Sequence, residues 1–522
     1  MTDFASDNAE QNTQPIPPRY WWLKRIGLAA GVFVLTLVAI RLWWGHYAES
    51  RLQERIAQYH GGGEPILLED FATEPIPDEE NGAYFLQQAA AQLGQPVELS
   101  DVIRDLRNRA IDDDARKFLA DNAEALRLTH EAQSKSATDW HVRLTSPVIV
   151  TFTPAGLSSQ RALAKTTCSA AVYQHALGDD GTALETIRDN LALSRHIGRM
   201  EIGLIADLVG VAVDALGVTA VEATAHDLAV SDDAGSEGRS TQPATGEQVR
   251  VLIRELLDET AVLDSWRRAM RHERMQRLDA ITAVCEGRLS PVSAVAPTPT
   301  PVPPVVDRAV ALLLGPAWKL DILRMMDRSD VIMRAGTAPN WPAAQQQLPP
   351  DPTRGSAAEQ VSQFFSKLMT PSFDRAVLIR FWLLADRRMA ATTLAMRLYE
   401  SDHGQRPATL AELVPKYLPA VPLDPFDPND GPIRYRPDAP SPLLYSIGGN
   451  GVDDGGTVVF KSFRLIDRDA GDRPFYLNGD RPLPPPPAET GSARASQPTS
   501  TQAVVHDQQI EAGNQRQGQQ DQ

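Results

Sequence analysis

The chain has 522 residues, which is too long for one hydrophobic core, so two or three folded units are expected. Its net charge of −16 argues against a nucleic-acid surface, because phosphate binding needs clustered Lys and Arg side chains. Its two cysteines, Cys168 and Cys285, exclude a disulfide scaffold and a cysteine-rich zinc site; two buried thiols are favoured over a disulfide between them.

An uncharged apolar run from Ile26 to Ile40 dominates the N-terminal region. With the tryptophans on either side it covers residues 21–44, about 36 Å of helix, and a bilayer core is about 30 Å thick. The alternative is a cleaved signal peptide, but the end of the run lacks the small residues of a cleavage site. We therefore predict that residues 21–44 bind the membrane as a transmembrane helix and signal anchor.

Basic residues near this segment determine its expected orientation. Equal numbers of Lys and Arg lie before and after it, so the positive-inside rule gives a tie. Lys24 and Arg25 adjoin the apolar run on its N-terminal side, which favours a cytoplasmic N-terminus with a disordered tail at 1–20. We expect a single-pass protein of the inner or cytoplasmic membrane whose C-terminal portion is extracytoplasmic.

Beyond the membrane segment, the chain is predicted to be mainly α-helical. A stalk at 45–63 continues the membrane helix, because Leu52, Ile56 and Tyr59 recur at helical spacing until three glycines end it. A helical domain at 77–286 follows, where apolar residues recur at three- and four-residue steps. Its predicted helices cover 81–93, 102–108, 115–133, 163–177, 182–197, 206–229 and 249–286.

One hairpin of this domain resembles the inter-helix half of a tetratricopeptide repeat. The resemblance rests on Ala176, Leu177, Gly178, Asp179, Ala183, Leu184 and Leu191. No recurrence at the repeat period of about 34 residues is found, which favours an ordinary helix hairpin over a repeat array. The domain is thus predicted to be a helical bundle or a short solenoid.

The last predicted helix of this domain carries a row of basic residues. The row consists of Arg267, Arg268, Arg271, Arg274 and Arg277. It could bind a protein partner, but a surface face on which these arginines pair with Asp and Glu is favoured.

The region after the helical domain is interrupted by proline-rich stretches. Six prolines between residues 290 and 305 predict a linker at 287–305. A helical segment at 306–371 follows, with predicted helices at 307–314 and 319–333 and a Pro/Gln-rich loop at 340–356. A small α+β module at 372–475 and a disordered tail at 478–522 complete the chain.

The predicted module begins with a long helix, 373–400, that ends in Tyr399-Glu400-Ser401-Asp402-His403-Gly404. A short helix, an Asp-Pro-aromatic turn, a strand with Tyr435 and the loop Tyr445-Ser446-Ile447-Gly448-Gly449-Asn450-Gly451 follow. In this order the elements resemble the C-terminal domain of type II secretion major pseudopilins. His403 and the additional glycine of the loop depart from that pattern. The resemblance implies a pseudopilin-like fold for about an eighth of the chain.

In that family the last loop binds calcium. By position, the resemblance implies a calcium site at Asn450, Asp453 and Asp454, with backbone oxygens completing the coordination. Asn450 stands where an aspartate is usual, which removes one charge and weakens the site. An ordinary acidic turn is the alternative, since Asn-Gly and Asp-Gly are common in turns.

Other features separate this chain from true pseudopilins. The anchor lacks the glutamate of their processed helix, and more than 300 residues separate it from the pilin-like helix. We find neither a P-loop nor a Gly-x-Ser-x-Gly motif in the sequence.

The sequence therefore predicts a non-enzymatic interaction or scaffold protein of the cell envelope with a calcium-stiffened head. Protein partners would bind its helical domain, and no nucleic acid is expected. Two alternatives stay open: an envelope hydrolase with its site between helices of 77–286, and an accessory component that docks on a type II secretion-like apparatus.

Overall fold

Helices make up most of the chain. The computed structural model describes residues 20–95, 97–108, 112–151, 156–231, 242–290, 304–349, 373–462, 465–466 and 470–479. The predicted tails at 1–20 and 478–522 lie almost entirely outside the described residues, as do most of the linker at 287–305 and much of the loop at 340–356.

The mainly helical prediction is confirmed. In chain order the helices are α1 (Trp21–Gly61), α2 (Gly82–Ala91), α3 (Leu99–Asn108), α4 (Asp112–Asp121), α5 (Ala123–Gln133), α6 (Val148–Thr151), α7 (Leu157–Ala176), α8 (Asp180–Ile197), α9 (Leu204–Thr224), α10 (Gly246–Leu257), α11 (Thr260–Cys285), α12 (Pro304–Ala335), α13 (Trp341–Gln347) and α14 (Phe373–His403).

Short strands follow α14. They are β1 (Arg434–Arg436), β2 (Leu443–Ser446), β3 (Phe460–Ser462), β4 (Leu465–Ile466) and β5 (Arg473–Tyr476). One antiparallel sheet has the order β1-β2-β5, with Leu444 opposite both Tyr435 and Phe475. Strands β3 and β4 pair with each other as a separate hairpin unit, with Phe460 opposite Ile466.

Two predicted helices are each divided into two. Asn122 separates α4 from α5: its amide group accepts from the backbone N–H of Gly94 at 3.0 Å and donates to the carbonyl of Phe118 at 2.9 Å. Between α10 and α11, the side chain of Asp258 accepts from the backbone N–H of Thr260 at 3.0 Å. Asn and Asp side chains stabilise such helix ends locally, which hydrophobic periodicity does not reveal.

The opposite occurs in α12, where two predicted helices form one. Pro316 lies inside it, and its missing N–H leaves the carbonyl of Leu312, four residues earlier, without a helical donor. The Nε of Arg41 donates to that carbonyl at 2.7 Å. A contact with α1 therefore satisfies the acceptor that proline would otherwise leave unpaired.

The short helix α13 lies within the predicted loop at 340–356, so that part of the prediction is wrong. The side chain of Asn340 accepts from the backbone N–H of Ala343 at 2.9 Å, and Pro342 occupies the first turn. Both features are typical of a helix start.

One large hydrophobic core joins α3, α4, α7 to α11, the end of α12, α13 and α14 to the sheet. Trp266 of α11, Phe381 of α14 and Phe426 before β1 are all buried in it. Residues of the predicted domain at 77–286 and of the module at 372–475 thus share this core. Helix α9 is apolar and long enough to cross a membrane, but more than half of its most apolar stretch is buried among the other helices.

Candidate functional site

The predicted calcium loop follows β2 and turns sharply at its glycines. Gly448 has φ +70°, and a Cβ atom there would collide with the carbonyl oxygen of Gly471. Only glycine combines this backbone conformation with such a close approach. The loop is therefore fixed against the segment that leads into β5.

The structure brings two of the three predicted ligands together. The amide nitrogen of Asn450 lies 3.4 Å from Oδ2 of Asp454. Asp453 points to another set of partners: its Oδ2 pairs with Nε of Arg434 at 2.7 Å, and its Oδ1 accepts from the hydroxyl of Tyr445 at 3.1 Å. Within the described ranges, no group of three or more His, Cys, Asp or Glu is placed to hold a metal ion. Calcium binding stays a prediction.

Asp472 is a further carboxylate beside this loop that the sequence did not single out. Its Oδ2 accepts from the backbone N–H of Gly456 at 2.6 Å, whereas its Oδ1 is buried and accepts no hydrogen bond from the described residues. Burial raises the pKa of Asp472, and the negative charges of Asp453 and Asp454 act in the same direction. Asp472 is distant from the loop residues in sequence. It lies beside them because β5, which begins at the next residue, pairs with β2.

Asp424 holds the start of the loop in place. Its carboxylate accepts from the hydroxyl of Ser446 at 2.6 Å and from the backbone N–H groups of Phe426 and Ile447 at 3.0 and 2.9 Å. It also pairs with Arg434 at 3.1 Å. The Asp-Pro-aromatic turn thus has a clear structural task, since a fully hydrogen-bonded buried carboxylate fixes the surrounding backbone.

A second candidate site is a cavity of about 210 Å³ inside the helical body. Side chains of α8, α9, α11 and α14 and the junction between α10 and α11 line it. Gly210 and Ala261 contribute little side-chain volume, which leaves the space open. Charged groups dominate the remaining lining, so this cavity differs from an ordinary packing defect between apolar helices.

Two buried ion pairs flank the cavity. Arg380 donates to Asp207 at 3.1 Å, and Arg387 donates to Asp214. In both α9 and α14 the paired residues are seven positions apart, about two helical turns, so the two helices run side by side in the same direction. All four side chains are 5% exposed or less.

Arg387 also fixes the junction of α10 and α11. Its Nε donates to the carbonyl of Leu256 at 3.0 Å, and its Nη2 donates to the carbonyls of Glu255 and Asp258. These carbonyls lie at the end of α10, where no further helical N–H is available to donate a hydrogen bond to them. One guanidinium therefore both neutralises Asp214 and completes a helix terminus.

Arg195 is the unusual member of the cavity lining. No residue within the described ranges forms a hydrogen bond or ion pair with its guanidinium, although Asp214 and Glu255 line the same cavity. Burial lowers the pKa of Arg195. One carboxylate oxygen of Asp214 and one of Glu255 are buried and accept no hydrogen bond from the described residues. Unsatisfied donors and acceptors thus surround one cavity, which can hold water or a small polar molecule.

The signal for this site was present in the sequence. Asp207 and Asp214 lie seven positions apart in the mainly apolar α9, and Arg380 and Arg387 repeat that spacing in α14. Charged residues on the buried faces of two helices indicate that those faces meet and pair.

The third feature is the contact between α1 and α12. After its exposed apolar part, α1 buries Ala48, Leu52, Ile56 and Tyr59 against the body. The hydroxyl of Tyr59 donates to Oδ2 of Asp330 at 2.6 Å, and burial together with this bond raises the pKa of Tyr59 to about 12. We call this contact the α1–α12 seam.

The seam is parallel and in register. Its polar pairs join Arg41 to Leu312, Glu49 to Lys319, Arg55 to Asp327 and Tyr59 to Asp330. The sequence separation of these pairs stays between 270 and 272 residues. Since both helices rise about 1.5 Å per residue, they must run alongside each other without slipping.

Arginines of the basic row of α11 form ion pairs within the chain. Arg271 and Arg274 both pair with Glu64, at 2.7 and 3.3 Å, and Arg274 also pairs with Asp330 at 2.7 Å. Arg277 pairs with Glu273 at 3.0 Å. The expected pairing with acidic residues is confirmed for these three arginines, but the expected surface face is wrong for Arg274 and Arg277, whose side chains are buried. Arg271 and Arg274 tie α11 to the turn that follows α1.

His175 links the α7–α8 turn to the end of α9. Its Nδ1 bonds to Oδ1 of Asp180 and its Nε2 to Oδ1 of Asp227 at 3.0 Å. Burial alone would lower the pKa of His175, but the two carboxylates outweigh burial and raise it to about 9. This histidine is therefore positively charged at neutral pH and has a structural role.

Comparison with known protein families finds no match for this chain, and comparisons with curated proteins and with solved structures find none either.

Proposed function

We propose that this chain is a membrane-anchored, non-enzymatic interaction protein of the cell envelope, in which α1 holds a rigid helical platform beside the bilayer. The observation that carries the proposal is the unbroken passage of α1 from an exposed apolar segment into the buried α1–α12 seam. A flexible tether would leave the body free to rotate, whereas this helix fixes its height and angle.

Several contacts support a rigid connection. Leu52, Ile56 and Tyr59 are buried on one side of α1. The turn after α1 is held as well, because Glu64 pairs with two arginines of α11. Apolar packing together with charged pairs over several helical turns resists bending at the point where the helix leaves the membrane.

The membrane part is tested by extraction and topology. Membranes that contain the full chain are washed with alkaline carbonate, and an enzyme reporter is fused at the C-terminus. We expect the chain to stay with the membranes and the reporter to be active outside the cytoplasm. Release into the supernatant would refute the anchor, and a cytoplasmic reporter would refute the proposed orientation in the inner membrane.

The platform part is tested by photo-crosslinking in intact membranes. A photoreactive residue is placed at exposed positions of the body, and adducts are purified under denaturing conditions. The control is the same chain with a flexible Gly-Ser insertion after Gly45, which keeps anchor and body but uncouples them. We expect discrete protein adducts that weaken in the control. No adduct at any position would contradict the proposal.

We further propose that the part of the chain at 372–475 is a pseudopilin-like head whose loop binds calcium through Asn450, Asp453 and Asp454. The buried, unsatisfied oxygen of Asp472 beside this loop supports the idea, because a cation would compensate it. Calcium would have to compete with Arg434 for Asp453.

The calcium proposal is tested on the full chain. Titration calorimetry and thermal unfolding are measured with calcium and with a chelator, for the wild type and for Asp454→Asn. Asp438→Asn, an exposed acid outside the loop, is the matched control. We expect calcium to raise the melting temperature in the wild type and the control more than in Asp454→Asn. The absence of both heat and shift in the wild type would refute the site.

A second candidate function is binding of a small polar ligand in the charged cavity, and the unpartnered guanidinium of Arg195 favours it. A ligand with a carboxylate for Arg195 and an ammonium group for the free oxygens of Asp214 and Glu255 would satisfy all three, which describes an α-amino acid. Since these are binding groups, a receptor role suits them better than hydrolysis.

The ligand proposal is tested by thermal unfolding of the full chain with glycine, alanine, glutamate and arginine as probes. Stabilisation by one of these in the wild type, lost in Arg195→Gln and kept in the exposed control Arg254→Gln, would support the site. If no probe shifts the wild type, amino-acid binding is refuted and the cavity holds water only.

A further inference from the structure

The first turns of α12 extend beside the membrane segment of α1. The two helices are parallel, and the carbonyl of Leu312 contacts the guanidinium of Arg41 at the end of the apolar run. Counting back along both helices, residues 304–311 lie at the level of residues 33–40 of α1. The constant sequence separation of the paired residues fixes the height of α12 relative to α1. If α1 crosses a bilayer, the start of α12 must therefore enter the same layer.

Exposed side chains at the start of α12 fit such an environment. Val305, Leu312, Leu313 and Leu314 are 78, 69, 63 and 41% exposed. Leu42 on α1, one residue beyond the level of Leu312, is 68% exposed. Large apolar side chains clustered in this way are costly in water and typical of a membrane-contacting surface.

The polar groups of this segment limit its depth. Residues 304–315 span only about 18 Å as a helix, too short to cross a bilayer. Asp307 and Arg308 also lie in the segment, and a long Arg side chain can extend to the headgroup phosphates. Arg41 donates a hydrogen bond to the carbonyl of Leu312, which Pro316 leaves without a helical donor. No unpaired backbone acceptor therefore enters the lipid at that position.

From this geometry we infer that residues 304–315 of α12 insert beside α1 into one leaflet of the bilayer, between its headgroups and its middle, as a second lipid contact. The inference rests on the proposed membrane anchor. The body is then attached to the bilayer at two points, which prevents it from swinging around the axis of α1.

The test uses the full chain in vesicles of phosphatidylcholine and phosphatidylglycerol. An environment-sensitive fluorophore is attached to Leu313→Cys, and quenching by brominated acyl chains is measured. Cys285→Ala removes one native thiol; Cys168 is completely buried and its pKa is raised by burial, so it stays unlabelled. Leu42→Cys in the anchor and Glu247→Cys on α10 are the two reference positions, and Leu312→Cys repeats the measurement on another side of α12.

We expect the quenching at 313 and at 312 to approach that at 42 and to exceed that at 247. Quenching at 42 with values at 312 and 313 equal to that at 247 would overturn the second contact and leave the anchor intact. No quenching at 42 would refute the anchor and, with it, this inference.

Discussion

The α1–α12 seam and the contact between α9 and α14 are both parallel helix pairs, but they place their charges differently. In the α1–α12 seam the ion pairs lie at the edges; the side chain of Asp327 is 67% exposed and that of Glu49 43%. Between α9 and α14 the paired Arg and Asp side chains are 5% exposed or less. Apolar packing therefore stabilises the first contact, whereas the second depends on exact charge matching.

The exposure of the charges determines which substitutions each contact tolerates. An exposed ion pair contributes about 0–1 kcal/mol, because water screens it and ordering two long side chains costs entropy. A buried pair adds little net stability over apolar residues, but removal of one partner leaves a charge without compensation and costs about 3–5 kcal/mol. The α9–α14 contact is thus specific, and the α1–α12 seam is tolerant at its edges.

The largest effect is expected for Arg387→Met. It leaves Asp214 buried without its cation and leaves three carbonyl groups at the α10–α11 junction without a donor, so unfolding should become easier by about 3–5 kcal/mol. Denaturant unfolding of the full chain in detergent measures this. The double variant Arg387→Met with Asp214→Leu should recover part of the loss. A single variant as stable as the wild type would contradict the buried pair.

The next effect is expected in the α1–α12 seam for Leu52→Ala. Leu52 is buried between α1 and the body, and its truncation should cost about 2–4 kcal/mol through lost apolar burial and a new cavity. Gln53→Ala, on the exposed side of the same helix turn, is the control and should change stability by less than about 0.5 kcal/mol. Equal losses in the two variants would show that the seam does not form.

Alkaline pH should weaken the contacts of His175 in the helical body but leave the α1–α12 seam unchanged. Because the folded pKa of His175 is raised to about 9 from 6.5, its contribution is fully present below pH 6.5 and is lost as the pH rises through 9. The difference in melting temperature between the wild type and His175→Gln should therefore shrink between pH 7 and 10. Tyr59, with its pKa raised to about 12, would keep the seam intact over this range. A difference that is constant with pH would contradict the charged histidine.

The smallest effect is expected for Glu49→Gln. This removes an exposed partner of Lys319 at the edge of the seam and should cost less than about 1 kcal/mol. The comparison with Arg387→Met, measured by the same unfolding experiment, tests the contrast between the two contacts directly. A loss as large as that of Arg387→Met would show that edge charges, and not apolar residues, hold α1 to the body.

Helices with a continuous apolar pattern could be predicted from the sequence. The stretch 373–400 was expected as one helix and is observed as Phe373–His403; α1 was expected to continue through the stalk to the glycines and ends at Gly61. In both cases the apolar pattern is continuous: the N-terminal part of α1 is apolar on all sides, and α14 is buried around most of its circumference. The α4–α5 and α10–α11 breaks could not be predicted, because single side-chain hydrogen bonds decide them.

Contacts between residues that are distant in sequence limit how much of the candidate sites can be predicted. Sequence placed Asn450, Asp453 and Asp454 in one loop, but Arg434 and Asp472 reach that loop only through the pairing of strands. The cavity around Arg195 needs five helices to assemble. Its charged residues were visible at a spacing of seven, yet nothing local indicated which arginine faces which aspartate.

The continuity of α1 has a mechanical consequence. A helix without a hinge acts as a lever: when bilayer thickness changes its tilt, the body must follow. Over the roughly 20 residues between the end of the apolar segment and Gly61, about 30 Å, a tilt of about 10° displaces the far end by about 5 Å. Under the proposed membrane anchoring, a change in the thickness of the lipid layer is therefore converted into a displacement of the helical body.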